Sequence, residues 1–288
     1  MKPPEFKYVA ARTLDEAVEQ LNKHGEGAKI LAGGQSLTPM LNFRLVHPEV
    51  LVDINRIPGL DKITPDNGGF RIGALTRHRA IETSSVVAEK LPVLVAAARE
   101  VGHLAIRNRG TFGGSLAHAD PAAEWPVAVL ALDGTITTKS AKGGRTIKAK
   151  DFFVSYLQSA VEDGEVVTEI TLPGLPPKTG WGFEELSRRP GDFGLAAVCA
   201  LVTMDGGKVK EARISMGGVG PTALRAPAAE ASLKGQAITD DTLKAAGAKA
   251  AEESDPSNDV HASADFRRHL ISVLTKRAIQ AAVQRAGK

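Results

Sequence analysis

Two glycine pairs constrain this 288-residue chain more than any other feature. Gly33-Gly34 lies within Leu31-Ala32-Gly33-Gly34-Gln35-Ser36-Leu37, and Gly113-Gly114 within Thr111-Phe112-Gly113-Gly114-Ser115. Glycine lacks a Cβ and reaches positive φ freely, so both pairs read as loops that let the backbone approach a ligand closely. Successive N–H groups in such loops form an anion-binding concavity, to which Ser and Thr hydroxyls add donors. Two loops eighty residues apart suggest one extended diphosphate held from both sides. The alternative is that each is a plain turn, the reading given to Gly68-Gly69, Gly143-Gly144, Gly206-Gly207 and Gly217-Gly218. The first two pairs differ from these because polar donors follow them and apolar segments flank them.

The surrounding pattern places both pairs. Thr13 and Glu16 form a capping box ahead of Ala17, Val18 and Leu21, and Gly25 closes that helix. Lys29 to Ala32 reads as a strand running into the first pair, and Pro39 suits the first turn of a following helix. Further strands are expected at Leu51–Ile54, Phe70–Leu75 and Val166–Leu172, with a hairpin over Gly134–Lys148. Thr76 is a candidate helix cap, and helices are expected over Pro92–Val101 and Pro121–Leu132. Gly174 to Gly180 is a Pro- and Gly-rich linker candidate. Beyond it a hairpin joins Ala196–Met204 to Val209–Met216, and helices follow at Ala226–Leu233, Asp240–Glu253 and Ala264–Ala286. Arg267, Arg268, Lys276 and Arg277 are read as a solvated face of the last helix.

Composition narrows the function. Hydrophobic residues make up 43% and charged residues 24%, which is ordinary for a globular protein, and no apolar run approaches the ~20 residues of a membrane span. Met1 to Phe6 contains no apolar core of a secretory signal, so the expected location is cytoplasmic. A formal charge of +3 with only 5% aromatics does not indicate a nucleic-acid surface. Cys199 is the only cysteine, so the chain forms no internal disulfide and cannot ligate an iron–sulfur cluster. Its apolar surroundings favour a buried thiol over a nucleophile. Neither glycine pair fits G-x-G-x-x-G, and the chain has no P-loop, H-E-x-x-H or G-x-S-x-G motif. No histidine spacing suggests a metal site.

The runs Ala32-Gly33-Gly34-Gln35-Ser36-Leu37-Thr38-Pro39-Met40-Leu41 and Ile106-Arg107-Asn108-Arg109-Gly110-Thr111-Phe112-Gly113-Gly114-Ser115 resemble the two FAD-diphosphate loops of the medium subunit of molybdenum hydroxylases, the carbon monoxide and xanthine dehydrogenase group. The resemblance spans the chain and includes the late run Arg188-Arg189-Pro190-Gly191-Asp192-Phe193. It implies that Ile30, Leu31, Ala32, Gly33, Gly34, Gln35, Ser36 and Leu37 wrap the FAD diphosphate, with Thr111, Gly113, Gly114 and Ser115 closing from the other side. It places Glu124 on the ribityl hydroxyls, Val101, Gly102 and Val167 along the cofactor, and Phe193 near the isoalloxazine. For Glu124 the alternative is a solvated carboxylate at a helix start; for the two valines it is ordinary core. His118 and His78 either approach the flavin or are structural. Gln35 and Ser115 depart from the carbon monoxide branch and point to oxidation of N-heterocycles, aldehydes or similar compounds.

By the same resemblance the fold is α+β. A PCMH-type FAD-binding domain covers 1–175, with subdomains at about 1–54 and 55–175, and a C-terminal domain of the carbon monoxide dehydrogenase flavoprotein type covers 176–288 with an antiparallel sheet. The implied function is an FAD-carrying electron-transfer subunit with no catalytic acid or base of its own. Molybdopterin would sit on a large partner subunit and [2Fe-2S] clusters on a small one, and the implied assembly is a dimer of heterotrimers. Two alternatives stand beside this. One is a self-contained FAD-dependent reductase using NADPH, which needs a proton donor and a cation-rich pocket after Gly180. The other is a non-enzymatic scaffold whose glycine pairs are only turns.

Overall fold

A computed structural model describes residues 2–287. Met1 and Lys288, the outermost residues of the expected domains, lie outside the described residues. The amino-terminal part is a three-stranded parallel sheet in the order Lys7–Ala10, Val50–Asp53, Ala28–Leu31. Helix Leu14–His24 covers it with Ala17, Val18 and Leu21. Thr13 Oγ1 caps the helix by accepting from the Glu16 N–H at 3.1 Å. The Glu16 carboxylate accepts from the Arg12 N–H, one residue earlier than a capping box requires.

The second unit is a five-stranded antiparallel sheet ordered Ile63–Asp66, Gly69–Gly73, Val166–Leu172, Thr135–Ser140, Gly143–Lys148. Helices Pro92–Glu100, Phe112–His118 and Glu124–Ala131 pack around one apolar core that contains Trp125, Phe70, Phe112 and Phe152, all fully buried. Side chains of this size each contribute about 2–3 kcal/mol through burial alone. Thr76 does not cap a helix. The next helix is His78–Glu82, its N-cap is Arg77 without a side-chain bond, and Thr76 Oγ1 is buried with no partner.

The carboxy-terminal part is a four-stranded antiparallel sheet of Thr179–Ser187, Gly194–Asp205, Lys208–Gly217 and Leu224–Arg225. Its central strand is buried over ten consecutive residues. A near-continuous apolar run of this kind signals a strand covered on both faces. Alternation assigns the faces: Ala196, Val198, Ala200 and Val202 pack beneath the carboxy-terminal helices, whereas Cys199 and Leu201 enter the same core as Trp125. Cys199 is therefore a packing residue, its thiol pushed up to about 12 by burial. Ser215 Oγ donates to Val127 O at 2.6 Å and Gly218 N–H donates to Pro121 O, tying this sheet to the preceding unit.

The last helix, Ala264–Ala286, does not present Arg267 to solvent. Arg267 is only 7% exposed; it pairs with Asp259 and donates to Leu195 O and Gly218 O. Positions 267, 270 and 274 follow the i, i+3, i+7 spacing of one helix face, so Arg267 shares the buried side of Leu270 and Leu274. Arg268 and Lys276 remain on the outer side, paired with Asp265 and Asp240.

Candidate functional site

The first glycine segment leaves the carboxyl end of strand Ala28–Leu31, where ligands bind in open sheets with parallel strands. The N–H groups of Gly33, Gly34, Gln35 and Ser36 donate to no acceptor among the described residues. Gly34 has φ +71°, the left-handed region that glycine enters without strain, and this conformation turns successive N–H groups toward one side. Gln35 Nε2 donates to Gly33 O at 3.1 Å, and Thr38 N–H donates to Gly34 O, which together hold the turn.

The second glycine pair is built differently. It is not a loop: Gly113 and Gly114 form the first turn of helix Phe112–His118, with Thr111 as N-cap. Their N–H groups are already used, Gly113 on Ala74 O at 2.9 Å and Gly114 on Thr111 Oγ1 at 3.2 Å, while Ser115 N–H donates to Thr111 O. Close packing explains the glycines instead. A Cβ on Gly113 would lie 2.5 Å from Ala74 Cβ. A Cβ on Gly33 would lie 2.5 Å from Arg109 O, 2.7 Å from Gly110 Cα and 2.9 Å from Thr111 N. The two segments cross in direct backbone contact. One offers free N–H donors; the other offers the hydroxyls of Thr111 and Ser115.

Two residues that the sequence did not single out hold this crossing. Asn55 Nδ2 donates to Ala32 O at 2.8 Å and to Asp53 Oδ1 at 2.7 Å. Arg77 donates to Asn55 Oδ1 at 2.7 Å and, through its other nitrogen, to Arg109 O. The chain Asp53–Asn55–Arg77 thus ties the carbonyls of both segments together. The only sequence signal was an Asx residue just past a strand ending in Asp, which is common in ordinary turns.

The crossing opens into a cleft of about 560 Å³. Every predicted site residue lines it except Leu31, whose backbone belongs to the parallel sheet and whose carbonyl accepts from Ile54 N–H. Ile30, Ala32, Leu37, Val101, Gly102 and Val167 supply apolar wall. Phe193, 61% exposed, reaches the rim from the carboxy-terminal sheet, and Gly191 and Asp192 accompany it. His118 and His78 also face the cleft. Glu124 is not a solvated carboxylate: it is 4% exposed at the start of helix Glu124–Ala131. Burial, then repulsion from Glu100 and Asp120, pushes its carboxyl up to about 7 against a partial offset from its own backbone N–H. Glu185 is pushed up to about 9 by burial and by Glu124, and its Oε2 is buried without a partner. Among the described residues no cation pairs with either carboxyl, and burial and mutual repulsion favour the protonated form of both.

These residues fit a dinucleotide. Four free N–H groups beside two hydroxyls suit a diphosphate, a buried acidic group suits sugar or polyol hydroxyls, and the apolar walls suit a ring system. The sequence matches two family models in succession: the FAD binding domain in molybdopterin dehydrogenase over residues 4–175, and the CO dehydrogenase flavoprotein C-terminal domain over residues 181–282. The chain belongs to the FAD-binding medium subunits of the molybdenum hydroxylases. Among its relatives, the 6-hydroxypseudooxynicotine dehydrogenase complex subunit alpha of Paenarthrobacter nicotinovorans is 45% identical, over 99% of this chain and 97% of the relative. The carbon monoxide dehydrogenase medium chain of Hydrogenophaga pseudoflava is 36% identical over 98% of both. Solved structures agree: the carbon monoxide dehydrogenase of Hydrogenophaga pseudoflava superposes with TM-score 0.96 at 39% identity, covering 98% of each chain. Quinoline 2-oxidoreductase of Pseudomonas putida 86 superposes with TM-score 0.94, also at 39% identity, covering 99% of each. Family membership makes this chain an FAD-carrying oxidoreductase component with an α+β fold. No helix among the described residues is long and apolar enough to cross a membrane.

Proposed function

We propose that this chain holds FAD in the cleft between the two glycine segments and serves as the electron exit of a molybdenum hydroxylase. Electrons from a partner's [2Fe-2S] clusters reach the flavin and leave to an external acceptor. The substrate is oxidised at molybdopterin on a large partner subunit. The observation that carries the reading is the run of four unengaged N–H groups from Gly33 to Ser36, crossed by the Gly110–Thr111 backbone at the mouth of a cleft of cofactor size. FAD supplies reversible one- and two-electron chemistry when bound; the protein supplies its binding, orientation and electrostatics. Gly33 to Ser36 donate N–H groups to the diphosphate, and Thr111 and Ser115 bring hydroxyls to its other side. Glu124 accepts from ribityl hydroxyls. Val101 and Val167 exclude water along one wall, and Phe193 covers the exposed rim.

The substrate class we favour is an N-heterocycle, supported by Gln35 and Ser115 and by relatives named for nicotine-type and quinoline substrates. We place the domain limits near residues 54 and 175, where one sheet gives way to the next. The complete assembly in this reading is a dimer of heterotrimers in the cytoplasm. Expression with and without the neighbouring subunits tests the function. The full chain should bind one FAD, and only the assembled complex should reduce that FAD when substrate is added. Reduction by NADPH and substrate in the isolated chain would overturn the reading.

A further inference from the structure

His78 lies directly behind the crossing of the two glycine segments, and the cofactor reading leaves it without a task. It is 4% exposed and lines the cleft. Its Nδ1 accepts a 3.0 Å hydrogen bond from the indole Nε1–H of Trp125, a fully buried residue in the main core. Indole nitrogen can only donate, so Nδ1 carries no proton, and the neutral ring must carry its proton on Nε2. The rings sit 5.7 Å apart, and Phe112 packs edge-on to the same indole, so the imidazole has little freedom to flip.

The opposite edge of the ring carries no hydrogen bond. Nε2 donates to no acceptor among the described residues. Gly110 packs against this edge and leaves it room: a Cβ there would sit 2.5 Å from His78 Nε2 and 2.7 Å from Cδ2. Gly110 has φ −59°, an ordinary value for any residue, so room for the imidazole edge, not backbone freedom, requires glycine. The same Gly110 Cα is one of the atoms that Gly33 touches. The unpartnered Nε2–H therefore stands at the point where the two segments meet. The charged groups facing the ring are Arg77 and Arg107; with burial acting first, they push its pKa down to about 4, so the ring stays neutral across the working range.

We propose that His78 is a cofactor-positioning residue: its Nε2–H, oriented by Trp125 and given room by Gly110, is a fixed donor to the anionic part of the bound dinucleotide. This rests on the FAD reading above. The arrangement gives a donor that does not titrate between pH 5 and 9 and adds no positive charge beside a redox centre.

Two substitutions separate the two edges of the ring. In H78N the side-chain oxygen can still accept from Trp125, but no group reaches the Nε2 position. In H78Q a distal N–H₂ replaces Nε2–H, and the Trp125 contact is lost. FAD dissociation constants from flavin fluorescence and melting temperatures of the cofactor-free full chain are measured for both. H78N should weaken FAD about tenfold to a hundredfold, the range for losing a hydrogen bond to a charged group, with an apo melting temperature near that of the wild type. H78Q should bind within about threefold of the wild type yet melt lower. In the 15N-histidine-labelled wild type, the Nε2 resonance should show a proton at both pH 5.5 and pH 8.5 and move when FAD is added. Wild-type affinity in H78N, or an unmoved Nε2 resonance, overturns the proposal; so does affinity that merely tracks melting temperature in both variants. Absence of FAD binding by the wild-type chain is a different outcome, which overturns the cofactor reading itself before any variant is compared.

Discussion

Replacing Gly33 by alanine tests whether contact between the two glycine segments builds the site. The added Cβ would lie 2.5 Å from Arg109 O, 2.7 Å from Gly110 Cα and 2.9 Å from Thr111 N. All three are backbone atoms, so no side chain can rotate away. Relief requires one segment to move by roughly half an ångström or more, and Asn55 and Arg77 resist that by bonding carbonyls on both sides. Overpacking of this kind costs about 1–3 kcal/mol. In a chain of this size that corresponds to a fall in melting temperature of roughly 2–5 °C. Because the displaced atoms adjoin the free N–H groups, FAD affinity should fall more than stability does, by at least about tenfold. Gly34→Ala is the contrasting case. There the penalty is conformational, about 1–2 kcal/mol for a left-handed non-glycine residue, and Gly34→Asn should recover part of it. Differential scanning fluorimetry with and without FAD, together with flavin-fluorescence titration, reads both quantities. A Gly33→Ala chain with wild-type melting temperature and FAD affinity would refute the steric argument.

Other outcomes follow from the same geometry. Arg77→Ala should weaken FAD by about tenfold through loosening of the crossing, with a modest loss of stability, since Arg77 touches the segments through Asn55 Oδ1 and Arg109 O; equilibrium dialysis checks it. Glu124 and Glu185 both have folded pKa values raised above their unfolded ones, so the folded state binds more protons and stability falls as pH rises from about 4.5 toward 7 and, for Glu185, toward 9. Glu185→Gln should flatten that decline in urea melts of the apo chain and make it more stable than wild type at pH 8. Arg267→Ala should cost about 3 kcal/mol in the same melts, because it leaves Leu195 O and Gly218 O unpaired in the core.

Much of the carboxy-terminal sheet and the last helix was legible in the sequence, because a ten-residue apolar strand and a long helical period leave few alternatives. The hairpin Gly194–Asp205 with Lys208–Gly217 and the helix Ala264–Ala286 lie where the pattern puts them, give or take two residues. Local chemistry misled where tertiary contacts decide. Thr76 has the composition of a cap but is buried beneath the Phe112 turn, whose N–H takes its carbonyl. Gly113-Gly114 looks like a loop but forms the first turn of a helix capped by Thr111, and its contact with Ala74 explains why glycine is required there. The charge of Arg267 suggests solvent, yet its spacing from Leu270 and Leu274 puts it on their buried face. The cleft's glycines were visible as motifs, whereas Asn55 and Arg77 act through main-chain carbonyls of distant segments and leave no pattern in one sequence.

In the proposed role this chain is a flavin station and not the site of substrate oxidation. The most direct measurement is the cofactor content of the purified full chain, by absorbance and by metal analysis of the same sample. One FAD per chain is expected after reconstitution, with neither molybdenum nor iron bound, and no bleaching of the flavin by substrate until the partner subunits are added. A chain that takes up no FAD, or whose flavin is reduced by substrate in isolation, would contradict it.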